Sequence, residues 1–199
     1  MTELVFLLEE ASAQAMLEGL LPKILPPDMT PRYIPFDGKS DLEKQLIKKV
    51  RGYRNQGAQF IVVRDQDSHP DCKAVKAKLV RLCQEAGKPE ALVRIVCREL
   101  ESFYLADLAA VEKGLELSGL AKRQGERKFR SPDYLGSPSR ELATLTKGRY
   151  QKISGSRAIG PWLDPDNIRS DSFRNLVTGI RRIGQGTHYE NKLRQPTSF

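Results

Sequence analysis

The chain has 199 residues, of which 39% are hydrophobic and 29% charged, and this length and composition suit one α/β domain with a small appendage. The mean hydropathy is −0.48 and no apolar window is as long as a membrane span, so the composition excludes an integral membrane protein and predicts a soluble one. The formal net charge of +8 is unevenly placed, because residues 1–114 hold 17 basic and 17 acidic side chains whereas residues 115–199 hold 16 and 8.

The first part of the chain begins with a strand pattern followed by a helix pattern. The apolar run 4–8 predicts a strand, and apolar residues at helical spacing predict a helix over 12–25. A weaker strand at 33–36 contains Pro35, which has no N–H group to donate to a neighbouring strand. We therefore expect this second strand at an edge of the sheet.

The same alternation continues to about residue 113. Ser40 and Glu43 have the spacing of a capping box, which predicts the start of a second helix. The patterns that follow are a strand at 60–63, a helix over 71–86 ended by Gly87, a strand at 91–97 and a helical stretch over 103–113. Strands that alternate with helices imply a mostly parallel, Rossmann-like sheet flanked by helices.

The second part of the chain is less regular. Residues 118–138 show little periodicity and predict a long surface loop, and short helical patterns follow at 137–145, 157–163 and 172–183. We therefore predict three units: an α/β core over 1–114, a basic helical and loop extension over 115–183 packed on that core, and a flexible tail over 184–199.

Acidic pairs follow two of the predicted strands. Glu9 and Glu10 come directly after the first apolar run, and Asp65 and Asp67 come just after the run 60–63. Because side chains alternate along a strand, Asp65 and Asp67 are expected to face one pocket. Like charges held close together repel, and a divalent cation relieves that repulsion. The sequence therefore predicts a metal site at the carboxyl edge of the sheet, where ligands collect in open parallel sheets.

Six segments between residues 4 and 183 have an order and spacing that are typical of one family. They are Phe6-Leu7-Leu8-Glu9, Met16-Leu17-Glu18-Gly19-Leu20-Leu21-Pro22, Gly38-Lys39-Ser40-Asp41-Leu42, Val63-Arg64-Asp65-Gln66-Asp67, Arg98-Glu99-Leu100-Glu101 and Tyr150-Gln151-Lys152. In them the chain resembles the Toprim-like superfamily, the fold of topoisomerases, bacterial primases and overcoming-lysogenization-defect nucleases. More closely, it resembles a bacterial domain-of-unknown-function family within that superfamily.

The resemblance implies a Toprim-like fold in which Glu9 and the pair Asp65 and Asp67 match the superfamily's acidic residues. It also implies a partner, because members of the family are often found beside large ATPases in systems suspected of phage defence. The chain departs from the superfamily at Glu10, where a Gly is common. It has no tyrosine in a topoisomerase setting and no zinc ribbon, which leaves nuclease chemistry or a site that no longer turns over.

The residue types predict roles in metal-dependent hydrolysis of DNA or RNA. Asp65 and Asp67 would hold Mg²⁺ or Mn²⁺, with Glu9 completing the shell or acting as general base on a water. Glu99 and Glu101, again two residues apart after a predicted strand, are candidates for binding a second ion or orienting the water.

The basic extension supplies a candidate cation and suggests the polymer that is bound. Lys152 is expected to neutralise charge on the scissile phosphate, the alternative being an ordinary surface lysine. The positive charge of residues 115–199 would attract a nucleic acid, although a solvated surface explains it as well. Cys72, Cys83 and Cys97 lack metal-ligand spacing, which argues against zinc and predicts reduced thiols in the cytoplasm.

Two other classes of function remain open on the sequence. A module without catalysis would use the basic extension to hold nucleic acid or the ATPase. A phosphotransfer or phosphohydrolase enzyme could also use an Asp-x-Asp at a strand end. Haloacid-dehalogenase-like enzymes, however, carry that pair after their first strand, whereas here it follows the third predicted strand. The sequence does not indicate an oligomeric state.

Overall fold

The computed structural model describes residues 2–194, with side chains as far as residue 186. Four parallel strands form one sheet in the order β2-β1-β3-β4: β1 (Thr2–Leu8), β2 (Met29–Pro35), β3 (Gln59–Asp65) and β4 (Leu92–Val96). The chain leaves β1 first toward one side and then, after β2, toward the other, so the topological switch point lies between the carboxyl ends of β1 and β3. The predicted parallel, Rossmann-like α/β sheet is confirmed.

The α-helices of the described range lie on both faces of this sheet. They are α1 (Ala11–Leu20), α2 (Lys39–Arg51), α3 (Cys72–Glu85), α4 (Glu101–Leu105), α5 (Leu108–Gly114), α6 (Pro138–Leu145), α7 (Lys152–Ile159) and α8 (Asp171–Arg194). None of the helices in that range combines the length and the apolar character that crossing a bilayer requires.

Strand β1 divides the core into two hydrophobic clusters because its side chains alternate between the faces. Leu4, Phe6 and Leu8 face the cluster that α1 and α4 to α8 cover, and Val5 and Leu7 face the cluster that α2 and α3 cover. All five side chains are completely buried. The structure is therefore a three-layer sandwich in which residues from the basic extension build the core on one face.

Helix α1 is in backbone contact with the turn that follows α7. A Cβ atom added to Gly19 would lie 2.5 Å from the ring of Pro161, and one added to Gly160 would lie 2.5 Å from the carbonyl oxygen of Met16. Two glycines are thus required for this close approach. The contact fixes the end of α7 against the last two turns of α1.

Strand β2 lies at the edge of the sheet, as Pro35 predicts, and it is longer than expected because it begins at Met29. The N–H of Phe36, the next residue, donates to Leu8 of β1 at 2.8 Å. Alternation then turns the N–H positions of residues 31, 33 and 35 away from β1, and two of these three residues are Pro31 and Pro35. Both prolines therefore occupy outward positions where no sheet hydrogen bond is lost.

The predicted capping box is wrong. Helix α2 begins at Lys39 with Gly38 as its N-cap and without a capping side chain, so Ser40 lies inside the first turn and cannot cap it. Glu43 instead forms an ion pair with Arg64, with 2.9 Å between Oε1 of Glu43 and Nη1 of Arg64.

The stretch 118–138 is more ordered than the predicted surface loop. It contains three short 3₁₀ turns, at Ala121–Gly125, Arg127–Phe129 and Pro132–Tyr134. The ring of Phe129 is completely buried in the larger cluster. This segment therefore contributes Leu120 and Phe129 to the core, although most of its residues lie at the surface.

Three predicted helices have different bounds in the structure. The stretch 103–113 is two helices, because the side chain of Asp107 accepts the N–H of Ala110 and starts α5. Helix α7 begins at Lys152, earlier than the predicted 157. Helix α8 continues to Arg194, so the predicted flexible tail begins inside a helix, and residues 195–199 lie outside the described residues.

Candidate active site at the switch point of the sheet

Carboxylates from three successive parts of the chain lie at the carboxyl edge of the sheet. Glu9 directly follows β1, and its N–H still donates to Val63 of β3 at 3.1 Å. Asp65 is the last residue of β3, and Glu101 is the first residue of α4, a few residues after β4. They flank the switch point between β1 and β3, which is where doubly wound sheets bind their ligands.

The side chain of Glu9 contacts two successive residues of β3, Arg64 and Asp65. Its Oε2 accepts the N–H of Asp65 at 3.0 Å and lies 3.8 Å from Nε of Arg64. Only 8% of Glu9 is exposed. Burial, followed by the charge of Asp67, raises the pKa of Glu9 above its usual value, although the Asp65 N–H and Arg64 act in the opposite direction. This carboxyl therefore accepts a proton more readily than an exposed glutamate.

Asp65 has the least favourable electrostatic environment of the group. Its Oδ2 accepts the N–H of Leu100 at 3.1 Å, a bond that favours the charged form. Burial and the charges of Glu9 and Glu101 outweigh that bond and raise the pKa of Asp65 well above its usual value. Glu9 and Glu101 therefore destabilise the charged form of Asp65, and a cation placed beside Asp65 would be bound favourably.

Glu101 is the deepest of the acids, with 2% of its surface exposed. The hydroxyl of Tyr150 donates to its Oε1 at 2.9 Å and lies 3.3 Å from the hydroxyl of Ser156. Burial raises the pKa of Glu101 even though the Tyr150 hydrogen bond lowers it. Tyr150 comes from the extension, so the extension completes the site and does not merely lie beside it.

Lys152 stands at the rim of this acidic group. Its Nζ lies 2.5 Å from Oε2 of Glu10, which precedes α1. Burial lowers the pKa of Lys152, but the hydrogen bond and charge of Glu10, with the charges of Glu101 and Asp65, raise it above its usual value overall. The lysine is therefore a positive charge held next to the carboxylates.

Asp67 has different direct contacts from Asp65, although its charge is close enough to raise the pKa of both Glu9 and Asp65. Strand β3 ends at Asp65, and Asp67 has a φ of 54°, so the alternation no longer applies. The N–H of Asp67 donates to the carbonyl of Arg98 at 2.7 Å, and its carboxylate pairs with Lys39 at 2.8 Å. Arg98 also has a positive φ, of 63°, so the turns after β3 and β4 are both strained where they meet.

Glu99 has a structural contact instead of a shared position with Glu101. Its Oε2 accepts the N–H of Ser139 at 2.7 Å, in the first turn of α6. The negative charge and the hydrogen bond both suit a helix N-terminus. Strand β4 ends at Val96, before either glutamate, so the two-residue spacing does not place Glu99 and Glu101 on one face.

The oxygen ligands of this site suit Mg²⁺ or Mn²⁺, which bind carboxylates. Within residues 2–186, however, no three His, Cys, Asp or Glu side chains are grouped so that they could hold a metal ion. Three of the acids have other contacts, since Asp67 is paired with Lys39, Glu101 with Tyr150 and Glu99 with α6. The acids are concentrated at one edge, and each has a partner within the chain.

The model of one protein family, described as a domain of unknown function (DUF4276), matches residues 8–181. The chain belongs to the DUF4276 family. No curated protein and no solved structure gives a significant match. The range that matches the DUF4276 model contains every site residue from Glu9 to Lys152, so the whole acidic edge lies inside the family's domain.

Two residues that shape this site of the DUF4276 domain are not predicted by the sequence patterns. Lys39 neutralises Asp67, and a signal for it existed, because it starts the helix that follows β2 at the same sheet edge. Tyr150 lies in one of the six segments that carry the family resemblance, but the sequence patterns predict no role for it. Nothing local in the sequence indicates that its hydroxyl reaches Glu101, 49 residues earlier.

Proposed function

We propose that this domain is a divalent-metal-dependent nuclease that hydrolyses phosphodiester bonds of DNA or RNA. One observation carries the proposal: Glu9, Asp65 and Glu101 lie together at the switch point of the sheet, with Lys152 on the rim. The raised pKa values of the three acids support it, because perturbed carboxyls in a cleft are typical of functional sites.

The acids fit a hard divalent cation by their chemistry, since all of them offer carboxylate oxygens. Asp65 and Asp67 would hold Mg²⁺ or Mn²⁺, with Glu9 completing the shell or acting as general base, provided that Asp67 exchanges its bond to Lys39 for the ion. Lys39 and Asp67 have side chains that are 51% and 33% exposed. Opening so exposed a pair costs about 1 kcal/mol or less. A bound ion would supply positive charge to the phosphate undergoing attack.

The chain's own residues would act on water and phosphate. Glu9, whose raised pKa suits proton transfer, would accept the proton of the attacking water as the water oxygen bonds to phosphorus and the sugar oxygen leaves. Lys152 would neutralise a non-bridging phosphate oxygen. Glu101 is too buried to touch substrate and would hold its place through Tyr150, orienting the water or an ion.

The setting of this activity is also a proposal. We place it in the cytoplasm because Cys72, Cys83 and Cys97 are all unpaired thiols. The Toprim-like resemblance adds a separately encoded ATPase as partner and a role in phage defence. The net charge of residues 115–199 supports nucleic acid as the substrate.

The test is cleavage of supercoiled plasmid and of single-stranded RNA by the purified protein with Mn²⁺ or Mg²⁺. The variant Asp65→Asn keeps the shape of the side chain and removes its charge. We expect it to lower the cleavage rate by about 100-fold or more, the usual size for losing one electrostatic group of an active site. The matched control is Asp166→Asn, which changes an exposed aspartate that pairs with Arg181.

Cleavage that disappears with chelator and with Asp65→Asn, but not with Asp166→Asn, would establish the nuclease. Equal cleavage by all three proteins would contradict the proposal, because the activity would then come from another site or another protein. Absence of cleavage even after the ATPase is added would contradict it too.

A second candidate is a binding module without catalysis. It is favoured by the partners that Asp67, Glu99 and Glu101 already have within the chain. This reading expects salt-dependent binding of nucleic acid that Asp65→Asn leaves unchanged, which a binding titration at two salt concentrations measures.

A further inference from the structure

A basic pocket lies on the opposite face of β3 from Asp65, between α2 and α3. Its volume is about 410 Å³, within the range of small-ligand sites. Its charged lining consists of Lys39, Arg64, Lys78 and Arg81, against the single carboxylate of Glu43. We define these five residues as the basic pocket. The excess of cations indicates an anionic ligand.

Arg64 supplies a buried donor to this pocket. Its side chain is 8% exposed, and its Nη1 pairs with Glu43 at 2.9 Å. Its Nε has no hydrogen-bond partner among the described residues, and the Glu9 oxygen 3.8 Å away is too distant for one. A buried guanidinium N–H without a partner is rare, because its desolvation is not compensated. Nε is closed to solvent in the free protein, so a ligand oxygen in the pocket would compensate it only after the guanidinium turns toward the ligand.

The start of α2 adds further donors. The N-cap is Gly38, and no side chain caps the helix, so N–H groups of the first turn have no intrahelical acceptor. Lys39 and Ser40 of that turn line the pocket. The helix dipole favours negative charge at this end.

We infer that the basic pocket binds a phosphate monoester, as carried by a nucleotide or by the phosphorylated end of a nucleic acid. Several cations around one point match a dianionic phosphate better than a singly charged carboxylate or a bridging phosphodiester. Glu43 holds Arg64 at 2.9 Å and Lys78 at 2.6 Å, so two of the cations are oriented before the ligand arrives.

The binding itself does not depend on the nuclease proposal. If both hold, the phosphorylated end would lie next to the acidic edge, since Lys39 pairs with Asp67 and Arg64 contacts Glu9. The enzyme would then prefer substrates with a terminal phosphate.

The experiment measures binding of a short single-stranded DNA by fluorescence anisotropy in chelator, so that cleavage plays no part. The DNA carries a 5′-phosphate, a 3′-phosphate or hydroxyls at both ends, and adenosine monophosphate is a competitor. We expect one phosphorylated form to bind at least about tenfold more tightly than the hydroxyl form, the ratio that one charge-assisted hydrogen bond supplies.

The variant pair separates the basic pocket from general charge. Lys78→Gln with Arg81→Gln should abolish the preference for the phosphorylated form. Lys73→Gln with Lys76→Gln removes the same charge from the same helix, at residues that line a different pocket, and should preserve it. Both pairs alter exposed side chains, so folding should survive.

Four outcomes decide the inference. If adenosine monophosphate competes as strongly as the phosphorylated DNA, the inference is supported and the ligand is a nucleotide. If it competes more weakly, the inference is supported and the ligand is the phosphorylated end of a nucleic acid. Equal binding of all three DNAs, without competition by the nucleotide, overturns it. A preference that survives Lys78→Gln with Arg81→Gln overturns it as well. Asp65→Asn should leave the preference intact, so a failed nuclease test does not affect the result.

Discussion

The two faces of strand β3 carry opposite charge at its carboxyl end. On one face Asp65 lies near Glu101, and on the other Arg64 lies with Lys78 and Arg81 in the basic pocket. Arg64 and Asp65 are neighbours in sequence, and the alternation of the strand alone sends them to opposite sides. Glu9 touches both, through the Asp65 N–H and the Arg64 guanidinium. One strand end can thus present carboxylates that attract a cation on one face and basic side chains that attract an anion on the other face.

The largest effect should come from removing the residue that joins the two faces. Arg64→Met would leave Glu9 and Glu43 without the buried cation that balances them, and breaking a buried ion pair from one side costs about 3 kcal/mol or more. Unfolding by urea, followed by circular dichroism, measures the change in the free energy of unfolding.

The matched control is Arg81→Met, which removes an exposed cation of the same pocket and should cost within about 0.5 kcal/mol. Equal losses for the two variants would mean that Arg64 does not balance the acids, and that the two faces are independent.

A smaller effect, of opposite sign, is expected on the acidic face. Asp65→Asn removes the charge that Glu9 and Glu101 repel while keeping an acceptor for the Leu100 N–H. We expect the free energy of unfolding at pH 7, in chelator, to rise by about 1 kcal/mol, a common size for replacing a strained functional residue.

The pH dependence of this effect follows from the direction of the shifts. The folded-state pKa values of Glu9, Asp65 and Glu101 are raised, so between the unfolded and folded values the folded chain binds more protons. Their contribution to stability is therefore full below the unfolded values and is lost as pH rises through the folded ones. Urea titrations from pH 4 upward should show this decline, reduced in Asp65→Asn and unchanged in Asp166→Asn. An identical slope in all three proteins would contradict the repulsion.

The smallest change in stability should come from Lys39, which serves both faces. Lys39→Gln breaks an exposed ion pair and should alter the free energy of unfolding by at most about 0.5 kcal/mol. Because it frees the Asp67 carboxylate, it should tighten Mn²⁺ binding measured by calorimetry. Lys44→Gln, an exposed change on the same helix, should do neither. Weaker Mn²⁺ binding in Lys39→Gln would show that Asp67 is not a metal ligand.

The sheet could be predicted because its information is local. The apolar runs before Glu9 and Asp65 mark buried parallel strands, and the alternating helices imply the crossovers that bring both acids to one edge. The helix end at Gly87 was also predictable, since its φ of 85° suits glycine.

The remaining features of the site depend on turns and on distant contacts. Alternation placed Asp67 beside Asp65, but the strand ended first and the left-handed turn directed the carboxylate to Lys39. The spacing of Glu99 and Glu101 does not place them on one face for the same reason, because β4 ends at Val96, before both residues. The hydrogen bond from Tyr150 to Glu101 joins residues 49 positions apart, and a single sequence does not encode such a pairing in any local pattern.

The outward prolines of β2 limit how molecules of this protein can meet. Of residues 31, 33 and 35, which face away from β1, Tyr33 alone keeps an N–H to offer to an added strand. A second chain that approached this edge would find almost no ladder to extend. We therefore expect no strand-to-strand association through the β2 edge when the protein is concentrated, and partners that meet this edge to dock through side chains instead of by adding a strand.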